Sequence, residues 1–252
     1  TIGGAKYNSS GIACIGLADV SDSLLAVKKT VFDDRKTSMR ELKRALDRNF
    51  ENDAELKAYL VNRAPKFGSG NPEALELTGR VARFTHDTIA SHTNFRGGRY
   101  TTGFWSMSNH VAFGSLAGAL PSGRPAGKPF TPGLTPEPCA SDNLLDPIRD
   151  VASLDPRFMN NNIAFNVKVV PGASETRAVT VDHMFSYVKT YFDMGGMQMQ
   201  MNVVTTDMLR DAMKNPDNHR NLIVRISGYN AYFVTLNRQM QMELIERAEY
   251  QV

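Results

Sequence analysis

Few residues in this sequence have types and spacings that could do chemistry, and most of those fall away on inspection. The five histidines, His86, His92, His110, His183 and His219, are isolated from one another. The two cysteines, Cys14 and Cys139, lie far apart with no second Cys or His at ligand spacing. That argues against a disulfide framework and a zinc cluster, predicts no metal site, and points to reducing, intracellular surroundings. Asp182, His183 and Ser186 fall on one predicted helix without a nucleophile elbow, so they do not build a triad. Met194, Met197, Met199 and Met201 read as adaptable packing rather than metal ligands. Arg96 and Arg124, each near glycines, suit an anion or carboxylate and equally a structural role. There is no Walker A motif, no Gly-x-Gly-x-x-Gly after a strand, no His-Glu-x-x-His and no Gly-x-Ser-x-Gly. What remains is Arg225-Ile226-Ser227-Gly228-Tyr229-Asn230, between an apolar strand and the last helix. By pattern alone, Gly228 marks a bend where φ is positive or a backbone passes close.

The elements that must position these residues follow from periodicity. The first 95 residues read as mostly helical. A helix begins at Asp22-Ser23 with Leu24, Leu25, Val27 and Val31 on one face. Ser38-Met39-Arg40-Glu41 is a capping box, and Asn71-Pro72 is an N-cap followed by proline at the first helical position. Residues 96–175 are rich in Gly and Pro and read as a long functional loop broken by short apolar pieces. Beyond it come a helix from Val181 to Met194 closed by Gly195-Gly196, a strand from Gln198 to Val204, and a helix capped by Thr205 or Thr206. A strand from Asn221 to Ile226 and a helix from Arg238 to Ala248 complete the series. This order predicts α/β packing with parallel strands.

Length and composition set the outer limits. The 252 residues have room for one large domain or two modest ones, with 42% hydrophobic and 22% charged residues, an ordinary globular balance. A formal net charge of +3 gives no basis for a nucleic-acid partner. Mean hydropathy is −0.32, and no apolar run is long enough to span a membrane, so a cytoplasmic protein is expected.

The string Leu222-Ile223-Val224-Arg225-Ile226-Ser227-Gly228-Tyr229-Asn230-Ala231-Tyr232-Phe233-Val234, followed by Leu244-Ile245-Glu246-Arg247, resembles the C-terminal signature of the glycyl radical enzymes. These form the pyruvate formate-lyase-like family. Other stretches resemble family landmarks in family order. They are Gly3-Gly4-Ala5-Lys6-Tyr7-Asn8, Gly16-Leu17-Ala18-Asp19-Val20, Asp22-Ser23-Leu24, Ala64-Pro65-Lys66-Phe67-Gly68, Arg96-Gly97-Gly98, Phe113-Gly114-Ser115-Leu116, Ala119-Leu120-Pro121-Ser122-Gly123-Arg124 and Lys214-Asn215-Pro216. Together they cover essentially the whole chain.

The resemblance implies an α/β fold: the C-terminal portion of a glycyl radical enzyme α/β barrel, a parallel half-barrel with surrounding helices, carrying the glycyl radical loop. Residues 1–118 would be barrel and 119–252 the glycyl radical domain. Gly228 would store the unpaired electron, with Arg225, Ser227 and Tyr229 framing the loop in the interior. No cofactor would be bound. The radical itself is protein-derived, installed by a separate radical-SAM iron–sulfur activating enzyme. In the family the radical passes to a cysteine, in eliminating members within a Gly-Cys-x-Glu-type loop. Neither Cys14 nor Cys139 matches that context, so a missing or partner segment would carry the thiyl cysteine, and the chain alone would not turn over. The family further implies an oxygen-sensitive lyase of anaerobic metabolism, homodimeric when complete, that cleaves a C–O, C–S, C–N or C–C bond of a small molecule. Alternatives are a replacement subunit that repairs an oxygen-cleaved enzyme and a hydrocarbon–fumarate adding enzyme. By position, Arg96, Tyr100, Phe104 and Trp105 resemble a pocket-lining segment, with Asn202 and Val204 as a further wall. Phe104 and Trp105 read equally well as core.

Overall fold

A computed structural model describes residues 4–172 and 176–251. Gly3, the first residue of the N-terminal landmark, lies outside them. Strand β1 (Ser10–Cys14) leads into α1 (Leu17–Val27), which continues as a π-helical turn over Lys28–Asp33. Helices α2 (Met39–Asp47), α3 (Ala54–Arg63) and α4 (Pro72–Ala90) follow. The expected capping box is formed, with Glu41 N–H donating to Ser38 Oγ and Ser38 N–H donating back to the Glu41 carboxylate. Asn71 likewise caps α4 through Ala74 N–H at 3.1 Å.

Helix α1 begins five residues earlier than its periodicity indicates, because Asp22, read as the helix start, and Asp19 before it are tertiary anchors. Asp19 accepts from the amide and hydroxyl of Thr131, and Asp22 from the amide of Phe67, all at 2.7–2.8 Å. The apolar face shifts accordingly: Leu17, Ala18, Leu25 and Ala26 are buried, while Leu24 faces out.

The expected long loop is more structured than its composition suggests. It contains β2 (Tyr100–Phe104), α5 (Asn109–Leu116), α6 (Leu145–Ala152), β3 (Asn162–Ile163) and β4 (Asn166–Val170). The segment that stays irregular, 117–144, is gathered around the Arg124 guanidinium. That group donates to the carbonyls of Gly114, Gly118, Lys128 and Pro129 and lies 4.4 Å over the Phe130 ring.

The C-terminal third runs α7 (Arg177–Asp193), β5 (Gln200–Val203), α8 (Thr206–Lys214, capped by Thr205), β6 (Ile223–Arg225), β7 (Asn230–Tyr232), α9 (Arg238–Glu246) and β8 (Glu249–Gln251). Two parallel three-stranded sheets organise the described residues, in the orders β1-β2-β3 and β5-β4-β8. Strand β6 departs from the parallel expectation. It pairs antiparallel with β7 as a hairpin, Arg225 opposite Asn230, because the four residues between them reverse the chain without a crossover helix. Close approach explains one landmark glycine: a Cβ on Gly98 would sit 1.9 Å from the Asn8 carbonyl oxygen beside the β1–β2 pairing.

One core gathers Leu17, Phe67, Phe104, Ile148, Phe165 and Tyr191 between the sheets and α1, α4, α6 and α7. A second lies beneath the hairpin, where Val224, Ile226 and Phe233 meet Leu209, Met240, Leu244 and Val204. A third, smaller one joins α1 to α2 and α3. Helix α7 packs through Tyr191, while Val181, Phe185 and Phe192 are exposed.

Candidate functional site

The hairpin tip is built from β5 outward. Side chains alternate along a strand. Gln200 and Asn202 therefore share one face of β5, both nearly buried, and both reach β6. Asn202 grips the backbone of Arg225 at both ends: its Nδ2 donates to the carbonyl at 2.7 Å and its Oδ1 accepts the amide at 2.7 Å. Gln200 Oε1 accepts the Gly228 amide at 2.9 Å and Arg225 Nε at 2.6 Å.

The loop itself is tight. Ile226 N–H donates to the Tyr229 carbonyl at 3.0 Å, and Ile226 fills the second core. Ser227 is 0% exposed, and its hydroxyl has no partner among the described residues. Gly228 has φ +100°, a region that favours glycine, and beyond its two chain neighbours no described heavy atom lies within 4 Å of where a Cβ would stand. The interior location expected for the loop therefore holds for Ile226 and Ser227 in this chain, whereas Gly228 is an exposed tip.

Behind the tip runs a buried charged chain. Arg247 Nη2 donates to the Ile226 carbonyl at 2.9 Å, and its guanidinium is held by Glu243 through two contacts of 2.8 and 2.9 Å. Burial alone would raise the Glu243 carboxyl, but Arg247, and with it His110 at 3.4 Å, outweighs this and holds it at about 2. Lys168 Nζ, 1% exposed at its side chain, donates to Thr206 Oγ1 at 2.8 Å and to the Ile245 carbonyl at 3.0 Å, satisfying the last turn of α9. Burial lowers its pKa to about 8.

A cavity of about 400 Å³ opens beside this chain, its wall including Lys66, Arg124, Glu137, Cys139, Lys168 and Arg247. Glu137 keeps some surface toward the cavity. Burial, aided by repulsion from Asp19 and Asp22, pushes its pKa up to about 8. Burial also raises both thiols, Cys14 and Cys139, so neither is activated as a thiolate. Among the described residues there is no group of three or more His, Cys, Asp or Glu placed to hold a metal ion, and no helix is long and apolar enough to cross a membrane.

Arg225, Ser227, Gly228, Tyr229 and Asn202 are thus brought together. The other expected pocket residues are spread out. Arg96 is exposed with its guanidinium 5.1 Å from the Phe95 ring, and Tyr100 opens β2. Phe104 closes β2 inside the first core, and Val204 belongs to the second. Trp105 is half-buried, and its indole N–H has no partner among the described residues. Sequence reasoning assigns no site role to Gln200, Glu243 or His110, and names Arg247 only within the signature string. The signal for Gln200 was present in Gln198-Met199-Gln200-Met201-Asn202, where polar residues alternate onto one face of a strand.

Residues 1–114 match the sequence family described as pyruvate formate lyase-like, and residues 130–234, which include the hairpin tip, match the glycine radical family. The chain belongs to the glycyl radical enzymes. Among its relatives, trans-4-hydroxy-L-proline dehydratase of Clostridioides difficile is 33% identical over 98% of this chain and 31% of the relative. Isethionate sulfite-lyase of Bilophila wadsworthia (strain 3_1_6) is 34% identical over 92% of this chain and 28% of the relative. The glycerol-bound B12-independent glycerol dehydratase from Clostridium butyricum superposes with a TM-score of 0.93 at 38% identity, covering 99% of this chain and 32% of that one. The chain spans about a third of the length of the curated relatives it matches. The parallel sheets and surrounding helices are those of the C-terminal portion of a glycyl radical enzyme barrel.

Proposed function

We propose that this chain is the radical-bearing C-terminal portion of a glycyl radical lyase, with Gly228 as the radical residue and 119–252 as the glycyl radical domain. The observation that carries the reading is the tip geometry: a glycine at positive φ, open to its surroundings, whose amide is fixed by Gln200. Removal of one α-hydrogen leaves a carbon free of any side chain. It flattens, and the electron spreads onto the amide nitrogen and the carbonyl beside it. A radical-SAM activating enzyme would remove that hydrogen at the exposed tip. The radical would then pass to a thiyl cysteine on a Gly-Cys-x-Glu-type loop outside this chain, for cleavage of a C–O, C–S, C–N or C–C bond in a small substrate. The complete enzyme would be a cytoplasmic homodimer. Trp105, whose indole N–H has no partner among the described residues, is the member of the expected pocket set best suited to meet a substrate.

The test is anaerobic EPR after treatment with a radical-SAM activating enzyme, S-adenosylmethionine and reductant, with any co-purifying partner present. A doublet from one α-hydrogen, abolished in Gly228→Ala, is the expected result. Absence of the signal with a competent activating enzyme and partner overturns the reading. The alternative of a replacement subunit is less well supported, because the pyruvate formate lyase-like match occupies residues 1–114. It is separated by pull-down: a lyase portion holds a larger, undamaged partner stoichiometrically, and a spare part holds only oxygen-cleaved enzyme.

A further inference from the structure

Strand β6 has a second long edge that faces β5 without backbone pairing, since β6 and β7 form a two-stranded sheet of their own. In place of a ladder, two side-chain amides of β5 bind it. Asn202 satisfies the backbone of Arg225, and Gln200 reaches three residues further to the amide of Gly228. Gln200 cannot swing freely. Its own backbone N–H donates to the Phe165 carbonyl at 2.7 Å, its residue is 6% exposed, and its neighbours in the sheet fix the direction of its side chain. The orientation of its amide group is dictated by chemistry: both partners, Gly228 N–H and Arg225 Nε–H, are donors, so the oxygen must face them. One carboxamide oxygen with two lone pairs is thereby saturated, and Arg225 keeps it turned toward the glycine.

This placement matters for an electron held on the glycine α-carbon. Delocalisation requires the half-filled orbital to align with the flanking peptide π systems, each a rigid plane. The Ser227–Gly228 peptide is the plane whose N–H Gln200 holds, and the preceding Ile226 carbonyl is held by Arg247. We propose that Gln200 is a positioning residue for the radical: through Gly228 N–H it sets the orientation of the Ser227–Gly228 peptide plane, while Arg225 sets Gln200. The proposal rests on the reading that Gly228 carries the radical.

Two measurements test it. In the unactivated protein, amide hydrogen exchange at Gly228 should be slow for an exposed loop tip. Gln200→Leu, similar in size but without an acceptor, should speed it on the order of tenfold. After activation, Gln200→Leu should lower the radical yield and change the α-proton hyperfine splitting, and Gln200→Glu, which keeps an acceptor oxygen, should restore both. A wild-type Gly228 amide exchanging as fast as an unstructured peptide overturns the proposal. So does a Gln200→Leu doublet equal to wild type in yield and splitting. If Gln200→Leu does not fold, the wild-type exchange rate and the Gln200→Glu splitting decide, and an altered splitting in Gln200→Glu overturns it. Gly228→Ala is the control. Loss of the doublet there with an unchanged Gln200→Leu doublet sinks this proposal alone, whereas a doublet retained in Gly228→Ala sinks the radical reading beneath it.

Discussion

Asn202 replaces a strand: its single carboxamide satisfies both the N–H and the C=O of Arg225, at 2.7 Å each. A side chain thus does for this hairpin what a neighbouring backbone does elsewhere in a sheet. Asn202→Leu leaves the Arg225 N–H without a partner and its carbonyl with only the 3.5 Å contact from Arg247 Nη1. It should cost about 1–3 kcal/mol, roughly the penalty of one orphaned group plus a weakened second one. Urea unfolding measures it, and a loss under 0.5 kcal/mol would mean the hairpin finds other partners.

The Glu243–Arg247 pair should show itself in acid. Because Glu243 is held at about 2, below its ordinary 4.5, its contribution to stability is complete above pH 4.5 and is lost as pH falls through 2. Glu243→Gln leaves Arg247 buried without its counter-charge and should lower stability at pH 7 by about 3–5 kcal/mol. It should also flatten the acid limb of the stability curve, read by denaturant unfolding at a series of pH values.

Glu137 has the opposite sign. With its carboxyl raised to about 8, the folded form binds a proton that the unfolded form has already released. Wild-type stability should therefore fall as pH rises from 4.5 to 8. Each unit between the folded and unfolded values is worth about 1.4 kcal/mol, so Glu137→Gln should gain a few kcal/mol over wild type at pH 8 relative to pH 5. Equal pH slopes in the two proteins would place Glu137 in contact with bulk water.

Arg124→Lys tests the irregular segment 117–144. A lysine offers three donors from a point and no plane to stack on Phe130, so it cannot serve four carbonyls spread around a guanidinium. A loss of about 2–4 kcal/mol is expected, with new proteolytic cleavage confined to that segment.

Gly228→Ala should fold. Nothing stands where the methyl would go, so the cost is the positive φ alone, about 1–2 kcal/mol. A thermal midpoint within a few degrees of wild type, combined with loss of the EPR doublet, separates a chemical role from a structural one.

Local signals in the sequence are clear wherever the physics is local. The Ser38–Glu41 box, the Asn71-Pro72 start and the Thr205 cap are each set by a side chain and a backbone N–H within three residues, and each stands where its pattern indicates. The start of α1 is obscured because Asp19 and Asp22 bind Thr131 and Phe67, far along the chain. Gly and Pro between 96 and 175 suggest loop, yet β2 and β4 form there because neighbouring strands complete their hydrogen bonds, a contribution that no local window contains. The Gly228 tip is legible as a signature string that ends at Arg247. The contacts that hold the tip are not: Gln200 lies 28 residues away from Gly228, and Arg247 lies 21 away from Ile226.

The register of β8 beside β4 has a practical consequence for anyone handling this protein in air. If the backbone is severed at Gly228, neither side is set loose. Upstream, Ile226 stays sunk in its core under the grip of Arg247. Downstream, α9 remains packed through Met240, Leu244 and Ile245, and β8 remains hydrogen-bonded to β4 at the sheet edge. A nicked molecule would migrate and scatter like a whole one. The damage would be visible only after denaturation, as two polypeptides where a native gel shows a single species.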